Sequence, residues 1–277
     1  MRPNLNRPAI DVTGLLRRYG LHPDKRLGQN FLVDESALNK IVEIAEVGSD
    51  DTVLEVGPGL GSLTSLLATQ ARRVVAVELD ENLLPPLREA LASYSNVELV
   101  QGDILALDTE RLIGEASYRV VANIPYYITS ALIRHLLEAK ARPVQMVLTV
   151  QREVAERITA RPGDMSLLAL SVQVYGRPEV MARIPAGAFY PAPTVDSAVV
   201  RVGLYPEPIL PAKQLDAFFR LAKAGFSQKR KTLRNALAGG MHWSPVQAEA
   251  VLRAAGIDPK RRAETLSLEE WGRLVAS

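Results

Sequence analysis

The stretch Asn123-Ile124-Pro125-Tyr126-Tyr127 brings a side-chain amide, a stiffened backbone and aromatic rings together within five residues. One chemistry that needs this combination is attack by the exocyclic amine of adenine. That nitrogen is a poor nucleophile because its lone pair is delocalised into the ring, so a site must localise the pair opposite an incoming methyl group, and no strong base is required. The side-chain oxygen of Asn123 and a backbone carbonyl near Ile124 can accept the two amine hydrogens and favour a pyramidal nitrogen. Pro125 fixes the local backbone, and Tyr126 offers a ring on which a base turned out of its helix can stack. Each residue also has a plainer reading, Asn123 as a turn residue and Tyr126 as a core aromatic beside that turn.

A second constellation lies upstream in Glu55-Val56-Gly57-Pro58-Gly59-Leu60-Gly61. Gly57, Gly59 and Gly61 supply torsional freedom and absent side chains where a chain leaving a strand must turn sharply beneath a ligand. The spacing is G-x-G-x-G with an acid inside the preceding strand, whereas pyrophosphate-binding turns use G-x-G-x-x-G. A carboxylate at Glu55 suits a cationic amino acid moiety. Glu78 ends the next strand, where it can accept from both hydroxyls of a ribose. Asp103 ends the third and can accept from an adenine amino group, with Leu79 and Ile104 offering apolar faces to the ring. A lone glycine turn or a lone acid at a strand end is often only that. Three successive strands each ending in a plausible nucleoside contact point to S-adenosylmethionine as cofactor.

The elements that must carry these residues are legible in hydrophobic periodicity. From about residue 36 to 203, short β-branched runs alternate with helical patterns, the mark of an α/β fold built on a largely parallel sheet. The predicted strands are Thr52 to Val56, Arg73 to Glu78, Val97 to Gln101, Tyr118 to Ala122, Val144 to Val150, Glu179 to Ile184 and Val195 to Val202. Only the Pro185 to Pro193 loop joins the last two, too short for a crossover helix, so they should form an antiparallel pair at one edge. That mixed edge separates methyltransferase sheets from dehydrogenase sheets. Pro206, Pro208 and Pro211 then interrupt the chain and only helical periodicity follows. Two domains are expected, a catalytic one over 1–205 and a small all-α one over 206–277. Helices are predicted near Ala212 to Ala224, Gln228 to Ala238, Pro245 to Ala255 and Ser267 to Val275, with Gly239-Gly240 and Gly256 as stops.

Composition narrows the function classes. Of 277 residues, 47% are hydrophobic and 23% charged, enough for a full core. There is no cysteine, which excludes disulfides and thiolate chemistry, and three scattered histidines do not suggest a metal site. No apolar run has the length of a membrane span or a signal peptide, so a cytoplasmic protein is expected. The net charge of +2 hides an uneven distribution: residues 1–30 carry +4, residues 31–207 carry −8 and residues 208–277 carry +6. An acidic middle between basic ends suits a small-molecule catalytic domain whose surroundings meet a polyanion.

With these segments in view, the chain resembles the ribosomal RNA adenine dimethyltransferase family, specifically its KsgA type. The likeness covers nearly the whole chain. It rests on Glu55 to Gly61 and Asn123 to Tyr126, and also on Arg26-Leu27-Gly28-Gln29-Asn30-Phe31-Leu32, on Ala188-Phe189-Tyr190-Pro191-Ala192-Pro193-Thr194-Val195-Asp196-Ser197, and on Phe226 to Asn235. Leu27, where phenylalanine is frequent, and Ser227-Gln228-Lys229 are small departures. The resemblance implies a Rossmann-like class I methyltransferase fold with a seven-stranded mixed sheet. It implies that Asn30 and Leu32 close over the cofactor beside Gly57, Glu78, Asp103 and Asn123, and that Phe189 is a second stacking face opposite Tyr126. Without it, Gln29 to Leu32 reads as a helix-entry loop and Phe189 as core. It further implies two methyl transfers to each of two adjacent adenosines in a hairpin near the 3′ end of 16S rRNA in the small ribosomal subunit. Lys25 and Arg26, together with a cluster of Lys229, Arg230, Lys231 and Arg234 spanning just over one helical turn, are the candidate RNA contacts. Nothing in the sequence calls for more than a monomer. The alternatives are a sister enzyme that dimethylates one adenosine of large-subunit rRNA, a ribosome assembly factor whose binding matters more than its chemistry, and a nucleotide-dependent dehydrogenase, which the glycine spacing disfavours.

Overall fold

The structure, a computed structural model, describes residues 10–277; residues 1–9 of the expected first domain lie outside the described part. Among the described residues there are nine strands: β1 (Phe31–Leu32), β2 (Thr52–Val56), β3 (Arg73–Glu78), β4 (Val97–Gln101), β5 (Arg119–Asn123), β6 (Gln145–Gln151), β7 (Gly176–Ile184), β8 (Phe189–Tyr190) and β9 (Ser197–Leu204). Seven of them form one sheet in the order β4-β3-β2-β5-β6-β9-β7. The pairs from β4 to β6 are parallel, and β9 runs antiparallel to β6. The sheet is therefore mixed and of the class I methyltransferase kind. β7 takes the edge, and β9, the last strand made, slots in between β6 and β7.

The apolar runs explain the parallel part. Every residue of β2 is buried, as are all but the first of β3 and the middle five of β6, which is what a strand covered on both faces requires. The helix Glu35–Ala45 begins on Asp34, whose side chain accepts from the Ala37 N–H, and lays Leu38, Ile41, Val42 and Ile44 on a core containing Val53, Val74, Val121 and Val147. Chain order reverses between β2 and β5: from β2 the chain goes to β3 on one side and reaches β5 on the other. The crevice outside the carboxyl ends of these strands is where an open α/β sheet places a ligand.

The described residues divide into two compact units, one comprising the chain as far as Ala155 with Glu179–Leu204, the other Glu156–Pro178 with Tyr205–Ser277. Residues 156–178, read from the sequence as part of the first domain, thus belong with the second. Strand and helix alternation makes a helix between two strands look like a crossover. The helix Leu167–Gln173 instead buries Leu168, Leu170 and Val172, and the Tyr175 ring just beyond it stacks on Phe219 at a centroid distance of 6.4 Å. Gln173 Nε2 donates to the Ile158 and Ala160 carbonyls, and the Glu264 carbonyl accepts from the Gly163 and Met165 N–H groups.

Within the second unit, the helix Ala212–Phe226 packs on Leu233–Gly240, and Phe226 stacks on the fully buried Trp271 at 5.8 Å. Two expectations fail here. The predicted helix from Gln228 begins only at Leu233, because the Leu233 and Arg234 N–H groups find the carbonyls of Arg261 and Pro259, so Lys229, Arg230 and Lys231 lie in the turn before it and Arg234 alone is helical. Gly240 is not a stop but the last residue of that helix. A Cβ there would lie 2.5 Å from the Ala224 Cβ and 2.7 Å from its Cα, so its role is to let two helices approach. Gly240→Ala should therefore destabilise the protein by about 1–3 kcal/mol despite the better helix propensity of alanine. The urea midpoint of the variant checks this, and an unchanged or raised midpoint would show that the helices can separate freely.

Candidate active site

The turn after β2 holds its three glycines at φ of +69°, +59° and +89°, a region that side chains disfavour. Their roles differ. Gly59 faces the Phe31 ring, which an added Cβ would meet at 2.9 Å, and its N–H donates to Glu78 Oε2 at 3.1 Å. Glu78 Oε1 accepts from the Asp80 N–H at 2.9 Å, so two backbone donors fix the carboxyl at the end of β3. Gly61 was expected to touch the cofactor. It is absent from the cavity wall, and its open face instead receives Leu87 and Leu91, which a Cβ would meet at 3.1–3.2 Å. Its lack of a side chain serves helix packing.

Over this turn lies a cavity of about 240 Å³. Its wall gathers Asn30, Leu32, Glu55, Gly57, Gly59, Glu78, Leu79, Asp103, Ile104, Asn123, Pro125, Tyr126 and Phe189, residues from six separate segments of the chain. Asp103 Oδ1 accepts from the Leu105 N–H at 2.9 Å, which turns the chain after β4 and leaves the second oxygen available. Leu79 is 43% exposed and Ile104 is buried, so one can swing over a ligand and the other serves as a fixed floor.

The chemistry segment leaves the end of β5. Asn123 Nδ2 donates to the Asn30 carbonyl at 3.2 Å. A carbonyl can only accept, so the amide nitrogen must face Asn30, and Oδ1 is turned the other way as an acceptor. The Ile124 N–H donates to the Thr149 carbonyl, while the Ile124 carbonyl is uncommitted among the described residues. Tyr126 opens a short 3₁₀ turn and its hydroxyl lies 2.7 Å from Ser197 Oγ. Phe189 is buried among core residues and also lines the cavity.

Sequence reasoning without the resemblance missed what holds Asn30 in place. β1 and β8 pair antiparallel over two residues, Phe31 with Tyr190 and Leu32 with Phe189. Gln29 bridges the loop to the site: its Nε2 donates to Asp80 at 2.7 Å and its Oε1 accepts from the Asp24 N–H at 2.8 Å. The helix Val12–Arg18 lays Val12, Leu15 and Leu16 against Phe31, Leu60 and Leu83. A two-residue strand is too short to show any period, so only the run of unlike side chains from Gln29 to Leu32 could have signalled it. Lys25 and Arg26 lie outside the cavity wall, and Arg26 pairs with Asp24 at 2.9 Å. Lys229, Arg230 and Lys231 are exposed, and Arg234 pairs with Glu249 at 3.3 Å.

Glu55 is the electrostatic oddity of the site. Burial pushes its carboxyl up to about 8, the neighbouring Thr64 pulls it back and the Glu78 charge pushes it further. Its Oε2 has no hydrogen-bond partner. Burial likewise raises Glu78, against the pull of its backbone donors. The sequence suggested a standing carboxylate at Glu55. At neutral pH it is instead mostly a neutral acid, ready to ionise when a cation arrives.

Comparison with known proteins places this arrangement. The family model described as ribosomal RNA adenine dimethylase matches residues 21–276. The chain belongs to the ribosomal RNA adenine dimethylase family. A family relative from Dehalococcoides mccartyi, named ribosomal RNA small subunit methyltransferase A, is 49% identical over 261 residues, 94% of this chain and 90% of that protein. One of the same name from Pelotomaculum thermopropionicum is 44% identical, covering 98% and 96%. Among solved structures, the 23S rRNA methyltransferase ErmE is 31% identical with a TM-score of 0.72 over 89% of this chain and 98% of its own, and a dimethyladenosine transferase from Plasmodium falciparum is 26% identical with a TM-score of 0.73, over 88% and 95%. The family fold is thus shared between proteins named for different ribosomal subunits.

The Glu55 acid makes stability depend on pH in a defined direction. Folded, it keeps its proton up to about pH 8; unfolded, it loses it near about 4.3. Its contribution is therefore complete below that value, erodes as pH rises and is gone above about 8, at a limiting slope of about 1.4 kcal/mol per pH unit. The urea stability of the wild type relative to Glu55→Gln should fall from pH 5 to 8 and then level off. A difference that is flat in pH would show that Glu55 is ionised throughout.

Proposed function

We propose that this chain transfers methyl groups from S-adenosylmethionine to the exocyclic amines of two adjacent adenosines in a 3′-terminal hairpin of small-subunit rRNA. It acts as a monomer on the small ribosomal subunit during its assembly in the cytoplasm. The observation that carries the reading is the Asn123 amide, whose nitrogen is committed to Asn30 and whose oxygen, with the Ile124 carbonyl, is left to accept from an amine. The small-subunit assignment leans on the relatives named for that subunit, at 41–49% identity. No helix among the described residues is long and apolar enough to cross a membrane, and no group of side chains there could hold a metal ion.

The cavity fits the cofactor on its own terms. The orphaned Oε2 of Glu55 suits the ammonium of an amino acid, the two pinned oxygens of Glu78 suit ribose hydroxyls, and Asp103 with Leu79 and Ile104 suits an adenine ring. Gly57 and Gly59 keep the wall open where side chains would fill it. S-adenosylmethionine, when bound, supplies a methyl group on a sulfonium, an electrophile needing no further activation. The residues of the chain then supply orientation. Asn123 Oδ1 and the Ile124 carbonyl draw on the amine hydrogens and localise the lone pair, and Tyr126 and Phe189 hold the base. A monomethylated amine retains one hydrogen, so the second transfer proceeds with one of the two acceptors unused. On this reading Lys25 of the first unit and, separately, Lys229, Arg230 and Lys231 of the second are the phosphate contacts, whereas Arg26 and Arg234 are held in ion pairs with Asp24 and Glu249.

Labelled cofactor incubated with unmethylated small subunits, naked small-subunit RNA and large subunits separates the readings, with the modified base mapped afterwards. Label in the small-subunit hairpin supports the proposal, and label confined to large subunits overturns it in favour of the 23S type. Asn123→Ala should lower the transfer rate by at least about 100-fold, the scale for losing one positioned acceptor, while binding of S-adenosylhomocysteine by calorimetry weakens only moderately. Equal turnover by the variant would remove the amide from the mechanism.

A further inference from the structure

Tyr126 carries a hydroxyl that stacking alone does not use. That hydroxyl is tied to Ser197 Oγ at 2.7 Å, and Ser197 is fully buried at the start of β9, in register with Gln151 of β6. The preceding residue, Asp196, is tied in a different direction. Its Oδ1 accepts from the Ala186 N–H at 3.0 Å, and its carbonyl accepts from the Arg152 N–H at 3.0 Å. Ala186 opens the short 3₁₀ turn Ala186–Ala188 that delivers Phe189, and the Ala188 carbonyl accepts from the Val33 and Asp34 N–H groups beyond β1. Both aromatic walls of the base slot are thus referenced to two consecutive residues at the edge of a rigid strand.

We propose that Asp196 and Ser197 are a positioning pair that sets the gap between the Tyr126 and Phe189 rings, and with it how readily the slot takes a monomethylated adenine for its second methyl group. The inference rests on the reading of Tyr126 and Phe189 as the two faces of the base slot. Ser197 holds the far end of the Tyr126 ring, so the ring cannot tilt about its Cβ. Asp196 holds the entry to the turn, so Phe189 cannot drift along β8. A slot of fixed width discriminates on the thickness and orientation of what enters. A loosened slot still admits the base but holds the amine less often on line for attack. The first transfer tolerates this better than the second, because the monomethylated amine keeps one hydrogen for alignment and its two rotamers must be sorted by the walls. The hydroxyl of Tyr126 is neutral at working pH, since burial raises it further above its ordinary value, so the bond to Ser197 persists across the range in which the enzyme is assayed.

A double-mutant cycle on the full-length protein tests this, with Ser197→Ala, Tyr126→Phe and the pair together, assayed on whichever ribosomal RNA the wild type methylates. Each single variant should lower kcat about fivefold, the scale of one buried hydrogen bond, and raise the ratio of monomethyl to dimethyl product measured by mass spectrometry. Affinity for S-adenosylhomocysteine should stay as in the wild type. The double variant should be no worse than either single. Asp196→Ala should raise the monomethyl fraction in the same way, and Asp196→Asn, which keeps an oxygen for the Ala186 N–H, should restore it. Additive losses in the cycle would overturn the proposal, as would an unchanged product ratio in Ser197→Ala or a loss fully accounted for by a lower melting temperature. Since the cycle is read on the substrate the wild type uses, a wild type active only on large-subunit RNA sinks the small-subunit assignment and leaves this test intact.

Discussion

One backbone carbonyl, that of Asn30, decides which way the amide of Asn123 points, and the reading of the site depends on that direction. A primary amide has a donor end and an acceptor end of nearly the same shape, so a pocket that merely contained it would permit either orientation. The Asn30 carbonyl permits only one. Its position depends in turn on a loop that has no long element of its own. β1 gives it two residues of pairing with β8, Gln29 gives it a bond to Asp80, and Phe31 seats it over Gly59. Each contact is modest alone. Together they hold the Asn30 carbonyl where the Asn123 amide nitrogen meets it.

The pairing of β2 with β3 brings the two acids to one end of the sheet, where the same loop helps to enclose them. Glu55 and Glu78 end up buried beside one cavity, where two full negative charges would repel and neither would be well solvated. The fold resolves this asymmetrically. Glu78 receives two backbone donors and Glu55 receives none at Oε2. One acid is braced as an acceptor, and the other is left poised, with its charge conditional on what shares the cavity.

Much of this was legible in the sequence, and the failures share a cause. Strands such as Thr52–Val56 announce themselves because a parallel sheet covered on both faces needs unbroken apolar runs, and acids at their carboxyl ends stand out against that background. Asn123, Pro125 and Tyr126 stood out by residue type, and the structure brings all three to the cavity wall. At Gly61 the spacing of glycines says that space is needed and not what fills it, here Leu87 and Leu91. Lys229 to Lys231 were placed on a helix because local pattern cannot see that the helix start is set by carbonyls of Pro259 and Arg261, far along the chain. The segment 156–178 alternates like a crossover, yet the surfaces that cover its apolar side chains come from helices beyond residue 205. Local grammar fixes elements, whereas their partners are a property of the assembled chain.

The place of β9 in the sheet has a consequence for biosynthesis. It lies between β6 and β7, both of which leave the ribosome before it, and its first residue is the one that anchors Tyr126. Until residues 197–204 are made, β6 has an open edge and β7 has no neighbour in the sheet. The glycine turn, the acids, the Asn123 segment and Phe189 all precede that moment, so a nascent chain can carry every residue of the cavity wall before the residue that ties down the Tyr126 hydroxyl is made. The order of synthesis thus separates a chain that has every residue of the cavity wall from one in which the Tyr126 hydroxyl is anchored, and the second appears only once β9 is made.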